Sequence, residues 1–333
     1  MCDRSLRSIS SECSTGKLIF SEQNKSLFSP HYEKQIKMKI GVLCNSRMCL
    51  PSLYFLAQQG IQLSLILPEQ QHEDHFEIEQ FAQFSGVAIQ RWTKKELNEN
   101  LHIWVVINQL DTVWVMTFPY ILSKDAIERS KCAILNFHFA PLPKYKGAQP
   151  IFWMIKNGET QGGITVHQIT EEVDAGPLLH FEPYPIKKRE TFGSYNQNIA
   201  QLNINTIVAV FNKLKESDWK KGLKHQAGKS GLNCKKPEFN DVKIHWESMT
   251  AEEIERLCRA CNPWNKGAIT NYNGRLVKII ELTVVNSKSF EGEAAGTLVF
   301  LNETGGYAVS TEDKKYLEVG IISLEEGFFT GLQ

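Results

Sequence analysis

No run in this 333-residue chain stays apolar over membrane-spanning length, and its start lacks the charged-then-apolar order of an export signal. The expectation is a cytoplasmic protein that makes no use of a membrane. Net charge is missing as well. The 37 Lys and Arg balance 37 Asp and Glu, so no global field draws the chain to nucleic acid or anionic lipid. Cysteine is scarce: eight are scattered irregularly and read as reduced thiols rather than a disulfide framework. Cys44 and Cys49, flanking the first strand–helix turn, read as buried or partly buried thiols. Cys258-Arg-Ala-Cys261 has no second Cys or His pair at zinc spacing and lies in a helical pattern, so no metal is expected. His72 and His75 stand among acids and read as solvated helix surface. The first strand–helix turn offers only Gly41, not G-x-G-x-x-G, which removes support for a nicotinamide cofactor. No internal repeat is visible.

What is present is material for a core, 42% apolar residues, in a chain long enough for two domains. Residues 1–37 are rich in Ser, Lys and Glu without a sustained period and read as a disordered leader, or as sequence ahead of a start at Met38. From there, strands at 38–43, 61–67, 87–91, 113–118 and 133–137 alternate with helices at 51–59, 73–85, 94–110 and 123–130. Such alternation predicts an α/β fold, Rossmann-like, with a mostly parallel sheet and helices on both faces. A loop (138–147), a helix (148–156), strands at 163–169 and 177–186, and a long helix (191–215) follow. Residues 216–243 are lysine-rich, broken by Gly228, Gly231 and Pro237, and read as a basic linker. That linker is either a solvated tether or an electrostatic hold on an anionic acceptor or cofactor tail. Residues 244–333 carry one helix (251–261) and short strands at 268–272, 276–284, 296–301, 307–311 and 316–322, which predict a small OB-like β-barrel domain.

The strongest local signal is Leu135-Asn136-Phe137-His138-Phe139-Ala140-Pro141-Leu142-Pro143-Lys144-Tyr145-Lys146-Gly147. An apolar strand runs into Asn-x-His and then into a loop stiffened by two prolines. Asn136 and His138 are two apart, so in extended chain they project to one side. A second segment, Gly162-Gly-Ile-Thr-Val-His167-Gln-Ile, leads to a turn holding Asp174-Ala-Gly176. A carboxylate there can orient and charge-stabilise an imidazole arriving from the neighbouring strand. His167, on the strand leading to Asp174, reads as a supporting or core residue.

Together, Asn-x-His…Pro-Lys-Tyr-Lys-Gly, Gly-x-Thr-x-His and Asp-x-Gly resemble the folate-dependent formyltransferases. That family includes methionyl-tRNA, phosphoribosylglycinamide and sugar-amine N-formyltransferases. Ile244-His-Trp246, Ala251-Glu-Glu-Ile254 and Arg259-Ala-Cys-Asn262-Pro263-Trp264 extend the similarity into the C-terminal part. The resemblance implies transfer of a formyl group from 10-formyltetrahydrofolate to a primary amine, without metal. It implies catalytic roles for Asn136, His138 and Asp174. It also implies a folate pocket involving Phe118, Tyr120, Ile121, Leu122, Gly147 and Val173. Relatives usually carry Ser-Leu-Leu-Pro shortly after the histidine. Here Ala140 lacks that hydroxyl, and Lys146 stands where arginine is usual.

The acceptor is read as a small metabolite, amino sugar or carrier-bound amine. Methionyl-tRNA is the alternative, as in translation initiation. It is disfavoured because residues 68–79 carry five acids and no Lys or Arg where tRNA-binding relatives have a basic insertion. A reading of another class is a folate- or metabolite-binding protein that keeps the fold without turnover.

Overall fold

The computed structural model describes residues 38–226, 231–285, 292–302 and 304–331; the expected leader, residues 1–37, lies outside them. Along the first part come β1 (Lys39–Cys44), α1 (Leu50–Gln58), β2 (Gln62–Pro68), α2 (His75–Ser85), β3 (Ala88–Trp92), α3 (Lys94–Ile107), β4 (Thr112–Met116), α4 (Lys124–Ser130) and β5 (Ala133–His138). β6 (Tyr145–Gly147), α5 (Pro150–Lys156), β7 (Gln161–Gln168), β8 (Leu178–Pro185) and α6 (Phe192–Leu214) follow. The main sheet has the order β3-β2-β1-β4-β5-β7-β8; its first five strands are parallel, and β7 and β8 are antiparallel to their neighbours.

Helices cover both faces, as the continuous apolar runs of β1 and β4 require. On one face Leu97, Leu101, Trp104 and Val105 of α3 and Ala126 of α4 pack against Leu43, Ile66, Val113 and Val115. On the other, Trp114 meets Phe211 of α6 at 5.3 Å between ring centroids, and Met116 Sδ accepts from Asn203 of α6. Neighbours in β4 thus point alternately to the two layers. Thr93 and Glu96 form a capping box that starts α3. The apolar period extends to Leu110, but the helix stops at Ile107. There the Asn108 amide bonds Trp104 O, and Gln109 turns to φ 52°. Strand order reverses between β1 and β4, and beyond their carboxyl ends lies the crevice such sheets leave for a ligand.

The second part holds β9 (Leu232–Cys234), α7 (Phe239–Val242), α8 (Ala251–Cys261), β10 (Ala268–Tyr272), β11 (Arg275–Val285), β12 (Leu298–Leu301), β13 (Gly306–Ser310), β14 (Tyr316–Leu324) and β15 (Gly327–Thr330). The last six form an antiparallel sheet. β11 follows β14 along one edge, while β13 and β15 share the other, at residues 316–318 and 321–324. A register shift near Glu281 breaks the ladder in β11. The expected C-terminal β domain is this antiparallel sheet, and among the described residues no ladder joins β10 to β12. Cys258 and Cys261 are buried on α8.

The lysine-rich stretch differs from the expected tether. Lys224 exchanges two backbone bonds with Leu178, and β9 pairs in parallel with β6 inside the expected loop 138–147. Trp153 Nε1 donates to Lys235 O at 2.9 Å. Lysine heads can stay in water while the backbone beneath them is paired, so a charge run does not by itself mark a free segment.

Candidate active site

β5 and β7 bring the first pair of polar groups together. Their antiparallel register sets Asn136 opposite His167 and His138 opposite Thr165. The turn after β7 carries Asp174 back over them in a left-handed conformation, φ 50°. Asn136 Nδ2 donates to Asp174 Oδ1 at 3.1 Å and lies 3.1 Å from His167 Nε2. His138 Nδ1 faces Asp174 Oδ2 at 3.6 Å, and Gly147 N donates to the same oxygen at 2.8 Å. His138 Nε2 is 2.5 Å from Tyr145 O. A carbonyl only accepts, so Nε2 carries a proton and Nδ1 is the nitrogen free to titrate.

Asp174, His138 and His167 are buried. Burial opposes the Asp174 charge, but His138, His167 and the Gly147 N–H outweigh it and hold the carboxyl well below the usual carboxylate range. Burial pulls His138 below the usual imidazole value, and Asp174 offsets this only in part. The resting pair is therefore a carboxylate beside a neutral imidazole. The Gly147 and Asn136 N–H groups donate to Asp174 whether or not His138 is charged, so the carboxylate does not depend on an imidazolium.

The three residues expected to be catalytic meet at one point. Of the six expected around folate, Gly147 lies directly on Asp174. A Cβ there would stand 2.4 Å from Cys234 O, and φ is +99°. Phe118 and Tyr120 are half-buried after β4, ring edge to ring face at 5.4 Å, while Ile121 and Val173 are exposed. A 3.9 Å contact of Lys124 with Glu171 ties their two loops together. The Leu122 side chain is packed in the core in one cluster with Leu97 and Ala126, against which Phe118 and Tyr120 also pack.

Two supports were not legible. The Tyr145 carbonyl that fixes the His138 tautomer belongs to the backbone, and Gln226 Nε2, from the lysine-rich stretch, donates to Asp174 O and Gly176 O at 2.8 Å each. His75 is not solvated surface as expected. It is buried, with Nε2 2.9 Å from Asn45 Oδ1 and Nδ1 3.0 Å from Arg91 Nη1. The acids around it are largely consumed. Asp74 and Glu77 contact Arg47, and Glu79 binds Arg91 at 2.6 Å. These arginines come from segments outside 68–79, so a reading confined to that stretch saw only the negative charge.

Known proteins resemble this chain in both of its parts. Residues 57–211 match the family described as formyl transferase, and residues 238–328 match the formyl transferase C-terminal domain. The methionyl-tRNA formyltransferase of Fusobacterium nucleatum is 30% identical over 237 residues, 71% of this chain and 74% of that protein. The N-formyltransferase of Helicobacter canadensis, solved with folinic acid and dTDP-3-aminofucose, superposes with a TM-score of 0.63 at 19% identity, covering 85% of this chain and 98% of its own. Methionyl-tRNA formyltransferase from Clostridium thermocellum gives a TM-score of 0.54 at 13% identity, covering 75% and 95%. With a polar trio seated at the carboxyl end of its central strands and the relative from Fusobacterium matched over most of its length, the chain belongs to the formyl transferase family.

Proposed function

We propose that the protein transfers a formyl group from 10-formyltetrahydrofolate to a primary amine. The observation that carries the reading is the convergence of Asn136, at 3.1 Å, and His138, at 3.6 Å, on the Asp174 carboxylate. A flat ring finds apolar partners nearby: Phe118 and Tyr120 are half-covered aromatics packed on the core, and Ile121 and Val173 are exposed apolar groups.

The chemistry follows from the resting charge states. The amine nitrogen bonds to the formyl carbon and the carbonyl electrons move to oxygen. His138 Nδ1, neutral at rest, takes the proton that the attacking nitrogen sheds, and Asp174 stabilises the resulting imidazolium. As the bond from carbon to the folate nitrogen breaks, Nδ1 returns the proton to that nitrogen. Products are a formamide and tetrahydrofolate. Asn136 is the oxyanion donor. Its two N–H bonds point at Asp174 and His167. His167 Nδ1 lies 3.1 Å from Gln168 O and carries the ring proton, so Nε2 accepts from Asn136, and a turn of the amide away from Nε2 releases that N–H to the oxyanion.

The acceptor proposed is a small or carrier-bound amine, on the absence of Lys and Arg from residues 68–79. Methionyl-tRNA is the second reading. It is favoured by the curated relatives and by the Arg47 and Arg91 pairs, which remove much of the expected repulsion. Formyl-labelled folate offered with amino sugars, amino acids and charged initiator tRNA decides between them. The proposal expects label on a small amine with little salt dependence, and Asn136→Ala to lower kcat about 100- to 1000-fold. Label on tRNA alone, falling steeply with salt, establishes the second reading. Full activity in all of Asn136→Ala, His138→Ala and Asp174→Asn overturns the catalytic assignment.

A further inference from the structure

We infer that Gln226 is the positioning residue for Asp174, and that the described residues near it in the lysine-rich stretch, Lys224 and Leu232–Cys234, are a working part of the site. The inference rests on the formyl-transfer reading and deepens it.

Asp174 stands in a left-handed conformation that a non-glycine residue keeps only when its surroundings impose it. Its turn is tight: a Cβ on Gly176 would lie 1.8 Å from Gln168 O. Two carbonyls of that turn, Asp174 O and Gly176 O, converge on one place. Gln226 Nε2 fills it and spends one N–H on each. This fixes the amide's orientation, because turned over it would set oxygen against two oxygens. Gln226 Oε1 is buried with no hydrogen-bond partner among the described residues, while both bonds the side chain makes are donated to the turn. The backbone is held too: Lys224 N donates to Leu178 O at 2.9 Å and Leu178 N to Lys224 O at 2.7 Å.

Further along, the same segment grips the other side of the site. Leu232 N donates to Lys144 O at 2.6 Å, and β9 pairs with β6 in the register Tyr145↔Leu232, Gly147↔Cys234. β6 supplies both Tyr145 O, which fixes the His138 tautomer, and Gly147 N, which holds Asp174 Oδ2. Gln226 thus sets where the carboxylate sits, while β9 steadies the strand that His138 and Asp174 bind. Misplacing such a pair by about 1 Å costs on the order of 100-fold in rate.

Gln226→Met keeps the length and removes both donors. Expected is a kcat lowered between about 10- and 100-fold with the KM for 10-formyltetrahydrofolate unchanged. The acid limb of the rate profile should also move to lower pH. His138 is faced by Asp174, His167 and the Tyr145 carbonyl, with the Cys234 thiol beside Asp174 neutral, pushed up to about 12. Asp174 and then the Tyr145 carbonyl raise the His138 proton affinity, so a displaced carboxylate removes the larger of these two supports and lets that proton go more easily. Gln226→Lys, which restores a donor, should recover most of kcat, while its added positive charge keeps the limb at lower pH. Wild-type kcat and limb in Gln226→Met overturn the inference. So does a loss that merely follows the folded fraction in a thermal melt, with the limb unmoved. If the Met variant does not fold, a folded Gln226→Lys lacking activity overturns it equally. His138→Ala in the same assay keeps the two questions apart: its full activity would sink the formyl-transfer site, whereas a dead His138→Ala beside an unaffected Gln226→Met sinks only the role of Gln226.

Discussion

His138 has one ring nitrogen committed to Tyr145 O and one that titrates against Asp174. Burial lowers its proton affinity below the usual 6.5, so the base form dominates at neutral pH and is lost as pH falls through that depressed value. The rate constant kcat/KM should therefore fall on the acid side, below the pH of an ordinary imidazole, and His138→Ala should lose that limb with most of its activity. A wild-type profile flat to acid, or the same limb in both proteins, contradicts the role. At this scale the trio was legible because each member is a distinctive residue type beside a turn. Two-residue spacing set Asn136 and His138 on one side of a strand, and Gly176 marked the close approach at Asp174. Tyr145 O was hidden because every residue has a carbonyl. Gln226 was hidden because an amide 52 positions from its partner follows no spacing rule. His75 misled because its partners, Asn45 and Arg91, come from other segments.

Elements with a full period were readable, and elements without one were not. β6 and β9 have three residues each, too few to show alternation, and β9 lies where lysine dominates. α3 shows the limit of periodicity: Leu110 belongs to the same core as Leu101 and Trp104, yet it lies beyond the helix end. Gly41 has a role that no phosphate-loop pattern describes. It lies inside β1, where an added Cβ would stand 2.5 Å from the Trp104 ring and 2.6 Å from Leu110 Cδ1. Glycine lets α3 settle on the sheet. Gly41→Ala stiffens the unfolded chain, a gain of about 0.4–1 kcal/mol. Overpacking against a rigid indole costs about 1–3 kcal/mol, so the loss should win. The urea midpoint is expected to fall with the slope unchanged. A midpoint at or above the wild type would mean that Trp104 yields without cost.

For the molecule as a whole, composition foretold a balanced, two-part chain but not how the parts are joined. The described residues fall in one compact unit. α8 is bound to the α/β part through Arg256 Nε to Lys156 O at 3.3 Å and Arg259 Nη1 to Glu190 O at 2.9 Å. Trp264 meets Phe152 edge to face at 5.8 Å, and Gly193 N donates to Asn262 O at 3.0 Å. Chemical groups for this junction are spread from residue 152 to residue 264, so no local pattern announces it. A junction of aromatic packing and buried-backbone bonds couples the unfolding of its two sides, because opening it leaves donors and apolar faces uncovered on both. Tryptophan fluorescence and far-UV circular dichroism should then report one coincident urea transition. Trp264→Ala removes the ring that fills the junction, which for a large buried aromatic costs about 3–5 kcal/mol and less for this partly exposed one. The variant is expected to unfold earlier and to separate the two probes. Two resolved transitions in the wild type would show that the parts fold independently and that the junction contributes little.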